Sequence, residues 1–162
     1  MLLQGEADRW DPVCEALLVI AARRDHVVRV IAPALEAGLW VVSDRFADST
    51  LAYQGYGKGM AIEDLVALGR LALNDFAPDL TLILDLPVAA GLERAALRRG
   101  GGDRFERLDP AFHDRLRAGY RRIAEDDPAR CAMIDAAGEI GQVHRAILAV
   151  IEQRLGARFE PA

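Results

Sequence analysis

The stretch Val41-Val-Ser-Asp44-Arg45-Phe-Ala-Asp-Ser49-Thr50-Leu-Ala-Tyr53-Gln54-Gly-Tyr-Gly-Lys-Gly59 decides how the rest of the chain is read. Together with Leu39 and Trp40 its opening makes a short, unbroken apolar run with β-branched residues, the pattern of a parallel strand covered on both faces. The run stops at an acid and a base, and a polar segment follows. In parallel α/β sheets, ligands bind beyond the carboxyl ends of strands. Asp44, Asp85 and Asp135 each close a predicted strand there.

Outward from that stretch, the pattern alternates between helix and strand. Asp11-Pro12 reads as an N-cap with proline at the first helical position, and Val13, Leu17, Ile20, Val28, Ile31 and Leu35 recur at helical spacing up to Gly38. This predicts one long helix with a bend at Pro33. Helical pattern returns from Glu63 to about Asn74, from Val88 to about Arg98, from Pro110 to Glu125 and from Glu139 to Leu155. Leu80–Asp85 and Cys131–Asp135 read as two further strands. Such alternation implies βαβ units in a three-layer α/β/α fold with a parallel sheet, within a single domain over residues 1–162.

Composition narrows the class. A chain that is 52% hydrophobic and 28% charged is ordinary for a globular protein. A net charge of −5 speaks against general nucleic-acid binding. No apolar run approaches the ~20 residues that cross a bilayer, so a cytoplasmic protein with no membrane partner is expected. Cys14 and Cys131 have no metal-site spacing and read as small apolar side chains.

Asp44-Arg45 sets a carboxylate beside a guanidinium, suited to holding a metal or water with one and a phosphate with the other; an ion pair that merely fixes the loop is the competing reading. Ser49, Thr50, Tyr53 and Gln54 offer hydroxyls, a phenol and a carboxamide to a sugar or base, or form only a capped helical turn. Arg94, Arg98, Arg99, Arg104 and Arg107 surround Gly100–Gly102 and read as a wet loop unless something covers a ligand there.

Taken together, Asp44-Arg45-Phe46, Ser49 and Ala52-Tyr53-Gln54-Gly55 resemble the signature of the thymidylate kinases, which phosphorylate dTMP. Ala21-Ala22-Arg23, His26-Val27, Pro33-Ala34-Leu35, Pro78-Asp79-Leu80-Thr81, Asp103-Arg104-Phe105-Glu106 and Ile134-Asp135 agree in order, so the resemblance spans essentially the whole chain. It implies a P-loop-kinase-like fold and a homodimer. It implies that Arg23 and Arg45 hold the dTMP phosphate, that Asp44 lies near the transferred group and assists Mg2+, and that Ser49, Thr50 and Gln54 surround the nucleoside. Tyr53 would disfavour a ribose 2′-hydroxyl. The segment of about residues 94–107 would be a lid over ATP, with Arg99 and Arg104 as catalytic arginines.

Two departures stand against the family pattern. No G-x-x-x-x-G-K-[ST] phosphate loop occurs in the 162 residues. The chain thus reads as lacking the family's first two strands, about 50 residues on the family's usual length, which leaves open inner strand edges. Gly57-Lys58-Gly59 does not substitute, since Ala52 and Gly59 occupy the positions of the first glycine and the Ser or Thr. Val19 stands where the family usually has a phenylalanine stacked on thymine. The expectation is a dTMP kinase whose chain, as given, holds the acceptor side and is inactive alone; a nucleotide-binding or dimerising remnant and a kinase for another deoxynucleoside monophosphate are the alternatives.

Overall fold

The computed structural model describes residues 9–97 and 104–158. Contacts divide the chain into two compact units, Met1–Ala77 with Asp103–Gly119, and Pro78–Gly102 with Tyr120–Ala162.

In the first unit, α1 (Pro12–His26) starts as the sequence predicts: the Asp11 carboxylate accepts from the backbone N–H of Val13 at 2.9 Å and of Cys14 at 3.3 Å, with Pro12 in the first turn. The rod then widens into a π-helical turn (Val27–Ile31) before α2 (Ala32–Glu36), and the Ala32 N–H reaches five residues back to the Val27 carbonyl. Pro33 explains the widening. It has no N–H for the carbonyl one turn earlier and its ring crowds that carbonyl, so the rod passes it by loosening rather than breaking. Gly38, at φ +77°, ends the rod in the left-handed region.

The expected strand at Leu39–Ser43 does not form. The segment carries no ladder, and Val42 is 96% exposed, Leu39 61% and Trp40 60%. The apolar pattern suits a strand, but a strand also needs a neighbour to take its N–H and C=O groups, and none of the described residues supplies one. After it come α3 (Ala47–Thr50), a π-helical segment (Leu51–Gly57) and α4 (Ile62–Leu73), which Asn74 closes at φ +51°. Val27, Ile31 and Leu73 form a buried core flanked by Val41, Phe46 and Phe76.

In the second unit, β1 (Thr81–Asp85) and β2 (Cys131–Asp135) pair in parallel, in register from Thr81 with Cys131 to Asp85 with Asp135. Both strands match the sequence reading within one residue. Helices α5 (Val88–Ala96) and α7 (Ile140–Leu155) belong to this unit, while α6 (Pro110–Asp126) contributes residues to both. Glu139 and Gln142 form a reciprocal capping box at the start of α7. The architecture is α/β, with two strands of the expected parallel sheet formed among the described residues. No described helix is long and apolar enough to cross a membrane.

Candidate active site

The polar segment beyond Val42 is built on a tight turn. The Ser43 hydroxyl donates to the Arg45 carbonyl at 2.9 Å, and Arg45 itself sits at φ +69°. A left-handed backbone at a non-glycine residue costs about 1–2 kcal/mol, and such strain gathers at functional sites. The turn sets the Arg45 guanidinium 4.8 Å above the centre of the Tyr53 ring. Arg23, from α1, lies 5.5 Å over the ring of the next residue, Phe46. Two cations thus rest on aromatic faces contributed by one short segment, each contact being worth about 0.5–1 kcal/mol where exposed.

Residues four apart divide this segment into two faces. Ser49 and Tyr53 are half-buried, whereas Thr50 and Gln54 are buried. Asp44 and Arg45 are exposed and Arg23 is half-buried, so Arg23, Asp44, Arg45, Ser49 and Tyr53 are all accessible. Tyr53 is held edge-on by Phe105 at 5.0 Å and by Phe112 at 6.0 Å between ring centres. The wide π-helical segment fits this cluster because its glycines have no Cβ: one on Gly55 would lie 2.4 Å from Ile62 Cδ1, and one on Gly57 would lie 2.5 Å from Phe112 Cε2.

Behind the Tyr53 face lies a polar cluster that sequence reasoning missed. Glu15, in the first turn of α1, is completely buried. Its Oε1 accepts from Gln54 Nε2 at 2.7 Å and stands 2.8 Å from Lys58 Nζ; its Oε2 takes a second contact from Lys58 at 3.0 Å and one from the Arg104 guanidinium. Burial lowers the pKa of Lys58, and burial together with the nearby charge of Arg9 lowers that of Arg104. The one hint in the sequence was an acid within an apolar helical stretch, and its three partners come from remote positions.

The structure therefore brings Arg23, Asp44, Arg45, Ser49 and Tyr53 onto one short segment and its neighbour, and sets Thr50, Gln54 and Arg104 behind them. Arg104, expected to serve as a catalytic arginine, is 1% exposed and bound to Glu15, so it braces the cluster in this conformation. Lys58, of the phosphate-loop look-alike, is turned onto Glu15. Arg99, with residues 98–103 of the expected lid, falls outside the described residues. At the lid's start, both terminal nitrogens of Arg94 donate to the carbonyls of Ala136 and Ala137, at 2.9 and 3.1 Å. Asp85 is paired with Arg121 at 2.6 Å. No group of three or more His, Cys, Asp or Glu side chains suited to a metal occurs among the described residues. Magnesium commonly takes one or two carboxylates plus waters and substrate phosphates, and an exposed Asp44 fits that lesser demand.

Comparisons with known proteins point to one family. A family model described as Thymidylate kinase matches residues 1–147. The thymidylate kinase of Caulobacter vibrioides is 54% identical over 156 residues, covering 96% of this chain and 74% of that protein. The thymidylate kinase of Nitrobacter hamburgensis is 49% identical over 157 residues, covering 96% and 68%. Among solved structures, thymidylate kinase from Ehrlichia chaffeensis superposes with a TM-score of 0.71 at 34% identity, covering 90% of this chain and 67% of that one.

Proposed function

Because the chain belongs to the thymidylate kinase family, we propose that the accessible face from Asp44 to Tyr53, with Arg23, binds dTMP as the acceptor of a phosphoryl group from Mg-ATP. In that reaction an oxygen of the acceptor phosphate attacks the γ-phosphorus in line and ADP departs, leaving dTDP. Arg23 and Arg45 hold the acceptor phosphate, for which the planar guanidinium is suited. Asp44 is the carboxylate that would hold magnesium, whose part is to neutralise charge on the donor phosphates. Ser49 and Tyr53 line the sugar side, where the bulk of Tyr53 opposes a 2′-hydroxyl. Thr50 and Gln54 act from behind, by keeping that face in place.

The observation that carries this reading is the Arg45 guanidinium laid over Tyr53 by a left-handed turn, with Arg23 on the adjoining Phe46. Calorimetric titration with dTMP, thymidine and UMP tests it. The phosphate contacts predict thymidine binding at least about tenfold more weakly than dTMP, since hydrogen bonds to charged groups contribute about 1.5–3 kcal/mol. UMP should bind more weakly as well. Equal affinity for thymidine and dTMP would show that the two arginines hold no phosphate, and dCMP binding best would move the assignment to another deoxynucleotide.

The same reading extends to a cytoplasmic homodimer joined through the rod from α1 to α2, where Val13, Leu17, Val28 and Leu35 are each 41–50% exposed. Sedimentation equilibrium giving a monomer at micromolar concentration would oppose that part.

A further inference from the structure

We propose that Glu15 is a positioning residue for the acceptor nucleotide: its carboxylate fixes the amide of Gln54 and seats the aromatic ring that carries Tyr53. The role in nucleotide binding rests on the dTMP reading above.

The argument begins with burial. Glu15 has no solvent contact, and a buried carboxylate stays ionised only when paired and hydrogen-bonded. An ionised carboxylate only accepts, so Gln54 must turn its Nε2 toward Glu15, and the amide oxygen is thereby held on the opposite side. Apolar side chains replacing the whole buried group could fill this space with little loss of stability, whereas removing Glu15 alone would leave Lys58 and Arg104 without their counter-charge. Apolar side chains could not give the amide a direction.

The second step follows the two cations. Lys58 and Arg104 both meet Glu15, and both also reach Phe105: Lys58 Nζ lies 5.5 Å from the centre of that ring and the Arg104 guanidinium 4.7 Å. The same ring meets Tyr53 edge-on at 5.0 Å, and Tyr53 carries Arg45. A continuous run of contacts therefore leads from Glu15 through the two cations to Phe105, Tyr53 and the proposed phosphate-holding arginine. Segments around positions 15, 54–58 and 104 come together on one carboxylate.

The test compares the unaltered chain with Glu15→Gln and with the exchange Glu15→Gln plus Gln54→Glu, which keeps one carboxylate–amide pair but reverses its direction. Urea unfolding, dTMP titration and amide hydrogen exchange over 51–58 and 104–107 are measured on each. Glu15→Gln is expected to weaken dTMP binding at least tenfold and to speed exchange in both segments by a similar factor. The exchanged pair is expected to recover most of the unfolding midpoint while dTMP binding stays at least fivefold weak. If affinity instead follows the midpoint in every variant, Glu15 is a stability residue and the proposal falls. If Glu15→Gln does not fold, Lys58→Met, which removes one cation of the run, is read in the same way. A chain that binds no dTMP before any substitution overturns the acceptor reading and the nucleotide role together. Unchanged exchange at 104–107 in Glu15→Gln overturns the seating of Phe105 whatever the ligand.

Discussion

Replacing Gly57 by alanine tests the packing beneath Tyr53. The backbone angle at Gly57 is not left-handed, so alanine can adopt it, and replacing a helical glycine ordinarily stabilises by about 0.5–1 kcal/mol. Here the new Cβ would lie 2.5 Å from Phe112 Cε2, 3.1 Å from Cζ and 3.2 Å from Cδ2. Carbon atoms settle at roughly 3.5–4.0 Å, so the ring must move by about 1 Å. Phe112 is 3% exposed and touches Tyr53 and His113, which leaves it little room. Overpacking of this kind costs about 1–3 kcal/mol, and the net expectation is a loss of about 1–2 kcal/mol. Gly69, inside α4, is the internal control, because a Cβ there meets nothing within 4 Å. Gly69→Ala should therefore stabilise by about 0.5–1 kcal/mol. Urea unfolding of the two variants should move the midpoint in opposite directions, with dTMP affinity reduced in Gly57→Ala alone. A Gly57→Ala midpoint equal to or above that of Gly69→Ala would refute the packing argument.

Arg45→Met keeps the strained turn and removes the charge, so dTMP binding should weaken roughly 10- to 100-fold, the equivalent of the ~1.5–3 kcal/mol of a charged hydrogen bond, while the urea midpoint hardly changes because Arg45 is exposed. Asp11→Ala removes an acceptor for two N–H groups at the start of α1 and should lower stability by about 0.5–2 kcal/mol in the same unfolding measurement. Val42→Lys should leave the midpoint within about 0.5 kcal/mol of the unaltered chain, as for an exposed side chain; a loss of several kcal/mol would mean that Leu39–Ser43 is a covered strand after all.

What was legible in the sequence is what depends on neighbours a few residues away. Asp11-Pro12 announced the start of α1, Asn74 closes α4 in the left-handed region where the helical pattern was read to stop, and the apolar runs at Thr81–Asp85 and Cys131–Asp135 became strands because each had the other to pair with. Leu39–Ser43 carries as good a local pattern and forms no ladder, since pairing is settled by a second strand that the pattern cannot name. The same limit separates the two faces of the candidate site. The signature residues were readable as chemistry, but the inward turn of Gln54 follows from a partner at a remote position, Glu15, and the packing of its segment from glycines that admit Ile62 and Phe112. Glu15 is the extreme case: within its own helix it is an acid in the first turn, favourable to the helix dipole and otherwise unremarked. Only when Gln54, Lys58 and Arg104 converge on it does the carboxylate gain a direction to impose. A reading from residue types therefore finds the groups that face a ligand more readily than the groups that aim them, because aiming is done by contacts distant in sequence.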